Sequence, residues 1–165
     1  MRSRARLFGH PIHQQLIVFP LGLLATATLF DIINRIFGWT SLSAAAYYMI
    51  AAGIIAGLIA AVFGFIDWTA IPNGTRAKRV GLTHGASMFV AVVLFIIAWF
   101  LHDHSNPSAL ALVLQIVGSG IAVVGGWLGG ELVDHLGIGV EPGANPDAAG
   151  SFDHEPAGDG GLVHG

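Results

Sequence analysis

The sequence predicts an all-α fold: a four-transmembrane-helix up-down-up-down bundle with a disordered C-terminal tail. Three observations carry this. Hydrophobic residues make up 54% of the chain and charged residues only 10%, whereas a soluble domain carries about a quarter charged residues. So few charges cannot cover a water-soluble globule, and lipid must solvate much of the surface. The apolar residues are gathered into four runs, each near the roughly 20 residues of helix that cross a bilayer core. The links between the runs are short, which makes sequence neighbours antiparallel.

Residues 1–9 form a basic N-terminus. The first span covers about 11–37; its apolar run is too long for a signal-peptide core and has no early small-x-small cleavage site, so it reads as an uncleaved helix. Pro11 suits the first helical position, with His10 near the N-cap and His13 at the third position. Pro20 leaves the Leu16 carbonyl without its helical donor and predicts a kink just above His13. The second span covers about 42–66, the third 84–101 and the fourth 108–136, so the membrane domain is 10–138. The tail, 139–165, is rich in Gly, Pro, Ala and acids with no basic residue, and is expected to be disordered. His154 and His164 within it are weak metal candidates.

The basic residues are unevenly placed. Arg2, Arg4 and Arg6 precede the first span, and Arg76, Lys78 and Arg79 lie between the second and third; the opposite side has only Arg35. This positive-inside bias puts both termini in the cytoplasm of a bacterial plasma (inner) membrane. Trp39, Trp68 and Trp99 fall near span ends, as interfacial aromatics do. Gly53 and Gly57 on the second span, and Gly125, Gly126, Gly129 and Gly130 on the fourth, make GxxxG-type faces. Such faces suit close helix packing within the chain or a homodimer.

The residue types exclude several chemistries. The chain has no cysteine, which removes disulfides, Cys-ligated clusters and thiol catalysis. No Ser/His/Asp elbow, phosphate loop or two-metal carboxylate set is present, so no catalytic residue is assigned. Nothing points to nucleic acid. The unusual residues gather at one membrane face. His10 and His13 open the first span and His84 the third, while Asp67 closes the second and Glu131, Asp134 and His135 the fourth. The field at a helix N-terminus favours the uncharged imidazole, the form that ligates. Carboxylates at helix C-termini call for a nearby cation.

In such a bundle the first and third helices are diagonal and parallel, so His13 and His84 are set to face each other at similar depth. Two axial ligands on one haem b iron have that geometry. His10 is a substitute ligand, and Asp67 a group that orients a histidine or carries a proton. A small metal site, a histidine–carboxylate proton relay and plain membrane-edge salt bridges fit the same residues. Asp31, an acid inside the first span, is a functional candidate by default. Arg35 four residues on favours a structural ion pair with it. His102-Asp103-His104 reads as a solvated loop.

Taken as an ensemble, Gly9-His10-Pro11-Ile12-His13, Phe19-Pro20-Leu21-Gly22, Asp31, Gly64-Phe65-Ile66-Asp67-Trp68, His84, Gly129-Gly130-Glu131-Leu132 and Gly137-Ile138-Gly139-Val140 resemble a large bacterial family of small four-helix integral membrane proteins of unknown function. The resemblance covers about 9–140. Some relatives are fused to Rieske or other redox domains, which implies a link to membrane electron transfer. Many relatives carry a histidine where this chain has Val18. The leading expectation is a small haem- or metal-binding subunit with a redox partner. The alternative is a non-catalytic structural or accessory subunit of a larger membrane complex.

Overall fold

The computed structural model describes residues 1–148 and 150. Four of its helical spans are long and apolar enough to cross a membrane: Ile12–Phe37, Thr40–Ala70, Arg76–Phe100 and Ala109–Asp134. The first is divided into α1 (Ile12–Leu16) and α2 (Val18–Phe37); α3 is Thr40–Ala70, α4 Arg76–Phe100 and α5 Ala109–Asp134. The interruption at Ile17 lies three residues before Pro20, whose missing N–H leaves the Leu16 carbonyl without its usual donor. Gly38 ends α2 in the left-handed conformation (φ 72°), and its N–H reaches the Asn34 carbonyl. Thr75 and Ser108 cap α4 and α5, their hydroxyls accepting from Lys78 N–H (3.1 Å) and Ala111 N–H (3.0 Å).

Two spans are longer than the hydropathy runs that mark them. α3 continues four residues past Ile66, and α4 starts at Arg76, eight residues before His84. Helix persists where the apolar run stops because Lys78 covers Trp68: its Nζ sits 3.8 Å from the ring centroid and donates to the Trp68 carbonyl (2.7 Å). The Trp68 indole in turn donates to the Lys78 carbonyl (3.1 Å).

The helices form two antiparallel hairpins, α1–α2 with α3 and α4 with α5. They pack in a ring in which α2 also meets α5 and α3 meets α4, leaving α2 and α4 diagonal. The packed core lies in the half away from the chain termini. Ala27, Ala46, Ile50, Ile54 and Phe95 are buried there, with Leu24, Phe30, Met49, Val92, Ile96 and Trp99 against them. Large apolar side chains such as Phe37, Tyr48, Phe100 and Trp127 are exposed, as lipid contact requires.

Short two-stranded hairpins close both ends. β1 (Arg6–Leu7) pairs with β2 (His10–Pro11), and β3 (His102–Asp103) with β4 (Asn106–Pro107). The first turn places Phe8 (φ 49°) and Gly9 (φ 85°) in the left-handed region, as a two-residue hairpin turn demands. His10 is therefore in a strand, and Pro11 rather than His10 is the N-cap of α1.

The start of the tail departs from the expected disorder. Gly139 N–H donates to the Met1 carbonyl (2.8 Å), and Glu141 pairs with Arg2 and Arg6. Residues 139–141 are thus tied to the N-terminal segment, because the acid finds two of the basic residues that begin the chain. The rest of the expected disordered tail from 151 on, with His154 and His164, lies outside the described residues.

Candidate functional site

The half of the bundle nearer the termini is hollow. A cavity of about 1120 Å³ separates the two hairpins there, its lining almost wholly apolar. Leu24, Val92 and Phe95 of the packed half form its floor, and Met1, Ser3 and Gly139 close its mouth. Into it project His13 from α1 and His84 from α4, their ring centroids 6.3 Å apart and their planes at 88°.

Each ring is fixed in the same way. His13 Nδ1 bonds the Ala60 carbonyl at 2.8 Å, and His84 Nδ1 bonds the Gly125 carbonyl at 2.7 Å. A carbonyl only accepts, so Nδ1 carries the hydrogen in both rings, and in the neutral ring Nε2 keeps its lone pair. Neither Nε2 has a hydrogen-bond partner among the described residues. The carbonyl in each case lies four residues before a glycine that makes room for the ring. A β-carbon on Gly64 would fall 2.9 Å from Cε1 and Nδ1 of His13, and one on Gly129 3.2 Å from Cε1 of His84. Both hairpins thus repeat one arrangement: a histidine near the start of the first arm, anchored on a carbonyl one turn before a glycine of the second.

Part of the glycine faces serves contacts within the chain. Gly53 admits Leu24, Gly118 admits Phe95, and Gly125 admits Met88. Gly126 and Gly130 have open space around them and border the cavity.

The other candidates separate into distinct groups. Asp67 does not approach the imidazoles' Nδ1 atoms, which the backbone carbonyls occupy. Its carboxylate instead accepts from Ser3 Oγ (2.7 Å), Arg4 N–H (2.8 Å) and Ala5 N–H (3.2 Å), and holds the N-terminal segment across the cavity mouth. His10 lies at the surface in β2, outside the cavity lining. Glu131 bridges Arg76 (2.5 Å) and His135 Nδ1 (2.9 Å), supplying the cation that a carboxylate at a helix C-terminus requires. Asp134 is exposed at the rim of the cavity. Outside the spans, hydrogen bonding to Arg2 and then to Arg6 holds the Glu141 carboxyl below its usual range.

At the opposite end, Asp31 has other partners than the Arg35 expected for it. Asp31 is fully buried, and its carboxylate accepts from Ser43 Oγ (2.8 Å) and Gln115 Nε2 (2.8 Å) and meets His102 Nε2 at 2.9 Å. The reason is helical phase. Ala27, Thr28, Asp31 and Asn34 share the buried face of α2, while Arg35 turns outward and is exposed. His102 is correspondingly no solvated loop residue; its side chain is completely buried. A lone Gln115 in an apolar helix, on the face shared with the buried Ala111 and Gly118, is the signal that could have revealed this group and was not used.

With that geometry in hand, one family comparison is decisive: the model of the predicted membrane protein family DUF2231 matches residues 9–142. The chain belongs to this family. The matched DUF2231 segment holds both cavity histidines, Asp31 and all its partners, and Glu141. No curated protein and no solved structure matches the chain.

Proposed function

We propose that this DUF2231 protein is a small b-type haem-binding subunit of membrane electron transfer, with His13 and His84 as axial ligands. The observation that carries the reading is the pair of carbonyl-anchored imidazoles in one apolar cavity. Ligating histidines characteristically donate their second ring N–H to a carbonyl or carboxylate, which orients the ring and raises its basicity. The spacing fits the group. An imidazole nitrogen binds a first-row metal at about 2 Å with the ring centre roughly 1 Å further back, so two rings that held one metal from opposite sides would lie about 6 Å apart. Here the centroids are 6.3 Å apart.

The donor set favours a macrocycle over a bare ion. Among the described residues no group of three or more His, Cys, Asp or Glu could hold a metal. Two protein nitrogens suit an iron whose other ligands come with the cofactor. The cavity volume, about 1120 Å³, lies just above the range of small-molecule sites, roughly 300–1000 Å³. When bound, such a group supplies one-electron redox chemistry. The chain would hold it between the hairpins, His13 and His84 supplying the nitrogens, with apolar walls that would exclude water and the N-terminal segment, held on Asp67, over the entrance. The cluster of basic residues at the mouth end of the cavity supports a cytoplasmic orientation of that face in a bacterial inner membrane. Electron transfer then implies a redox partner there.

Absorption spectra of the purified protein, oxidised and dithionite-reduced, test this. A sharp reduced α-band, lost in both His13→Ala and His84→Ala, is the expected result. A featureless spectrum from cells supplied with ample haem overturns it.

A further inference from the structure

The hydrogen-bond pattern around His102 determines how many protons the buried Asp31–His102 pair contains. His102 Nδ1 meets the Asp103 backbone carbonyl, which can only accept, so Nδ1 carries a hydrogen. His102 Nε2 meets Asp31 Oδ2 at 2.9 Å. Two acceptors facing each other repel, so one further hydrogen lies between these atoms, bound to one or the other. The pair is then either imidazolium with carboxylate or neutral imidazole with carboxylic acid. Both forms have zero net charge and one proton more than an ionised aspartate beside a neutral histidine.

The surroundings require that proton. Both side chains have no exposed surface, and an uncompensated charge in such a place is strongly disfavoured. Facing the pair are Ser43 and Tyr47 of α3, Gln115 of α5, and the β3–β4 hairpin with Asp103 and His104. Ser43 and Gln115 donate to Asp31, Tyr47 packs its ring on His102 (centroids 5.6 Å) and His104 stacks on Tyr47 (4.0 Å). None of these side chains is a fixed cation, and Arg35, exposed on another face of α2, makes no ion pair among the described residues.

We infer that Asp31 and His102 form a buried proton-binding site that carries one shared proton. The ligand is a hydron drawn from water on the side of the β3–β4 hairpin. The site lies at the opposite end of the bundle from the histidine cavity, and it stands whether or not that cavity holds a cofactor.

Its test reads the proton directly. His102-Asp103 is the sole His–Asp dipeptide of the sequence, so labelling histidine with 13C and 15N and aspartate with 15N assigns His102 without a variant. In lipid nanodiscs at pH 7.5, either His102 shows two protonated ring nitrogens, or the infrared spectrum shows a protonated carboxyl band that Asp31→Asn removes. Asp31→Asn also leaves His102 neutral, with its hydrogen on Nδ1 alone. A wild-type His102 with one ring N–H, together with no carboxyl band sensitive to Asp31→Asn, overturns the inference. Should Asp31→Asn fail to fold, the wild-type protein decides by itself: two ring N–H groups or a protonated-carboxyl band supports the site, and neither overturns it.

Discussion

At the scale of single residues, glycine and carbonyl placement controls the histidine pair as much as the histidines do. Gly64→Ala would set a methyl group 2.9 Å from the His13 ring, closer than packed atoms approach, so the ring must leave the Ala60 carbonyl. The expected outcome is a folded protein with markedly reduced cofactor content, read from the absorbance per mole of chain. Ala60 supplies only its carbonyl to His13. Asp31 presents the converse case. Asp31→Ala leaves Ser43, Gln115 and His102 with buried groups that have lost their common acceptor. Breaking a buried pair by removing one partner costs about 3–5 kcal/mol. Arg35→Ala, on the outward face of the same helix, is expected to stay within about 0.5 kcal/mol. Unfolding titrations in mixed detergent micelles compare the two variants.

At the scale of elements, the N-terminal segment behaves as a strap held by Asp67 from α3 and, after α5, by the backbone of Gly137 and Gly139 and by Glu141. The Glu141 carboxyl is held below its usual value of 4.5, so its contribution is fully present above that pH. It is lost as pH falls through the lowered value in the folded protein. Protection of the amides of residues 1–6, measured relative to their intrinsic exchange rates, should therefore fall on acidification below about pH 4.5, and in Glu141→Gln it should be lower already at pH 7. The four spans were legible in the sequence because bilayer thickness imposes a length and a polarity that any hydropathy profile registers. Their ends were less legible. Arg76 and Lys78 look like loop residues until Trp68 is seen beneath Lys78. That His13 and His84 lie at the same end of the bundle followed from helix direction; that their rings meet did not, because the rotation of each helix about its axis leaves no mark in one sequence. Nor did their anchors, since a backbone carbonyl carries no residue signature. The Asp31 group was obscured because Arg35, at the favourable spacing, was an obvious partner, while the true partners lie 12, 71 and 84 residues away.

At the scale of the whole molecule, the two hairpins are packed firmly in one half and held apart in the other. Gly53→Leu should wedge α2 from α3, where Leu24 now fills the gap, lowering thermal stability without altering oligomeric state by size-exclusion chromatography. Orientation is testable because the chain has no cysteine. A single cysteine at Ala148 should react with an impermeant maleimide only in inside-out vesicles, and one at Ser41 only in right-side-out ones. The recurrence of the histidine–carbonyl–glycine arrangement in both hairpins has its own effect on any flat guest lying between them. Such a guest meets an imidazole and a glycine wall from above and again from below, so turning it over changes its surroundings little. A macrocycle with an asymmetric rim would then settle in two flipped isomers, visible as doubled paramagnetically shifted methyl resonances from a single pure protein.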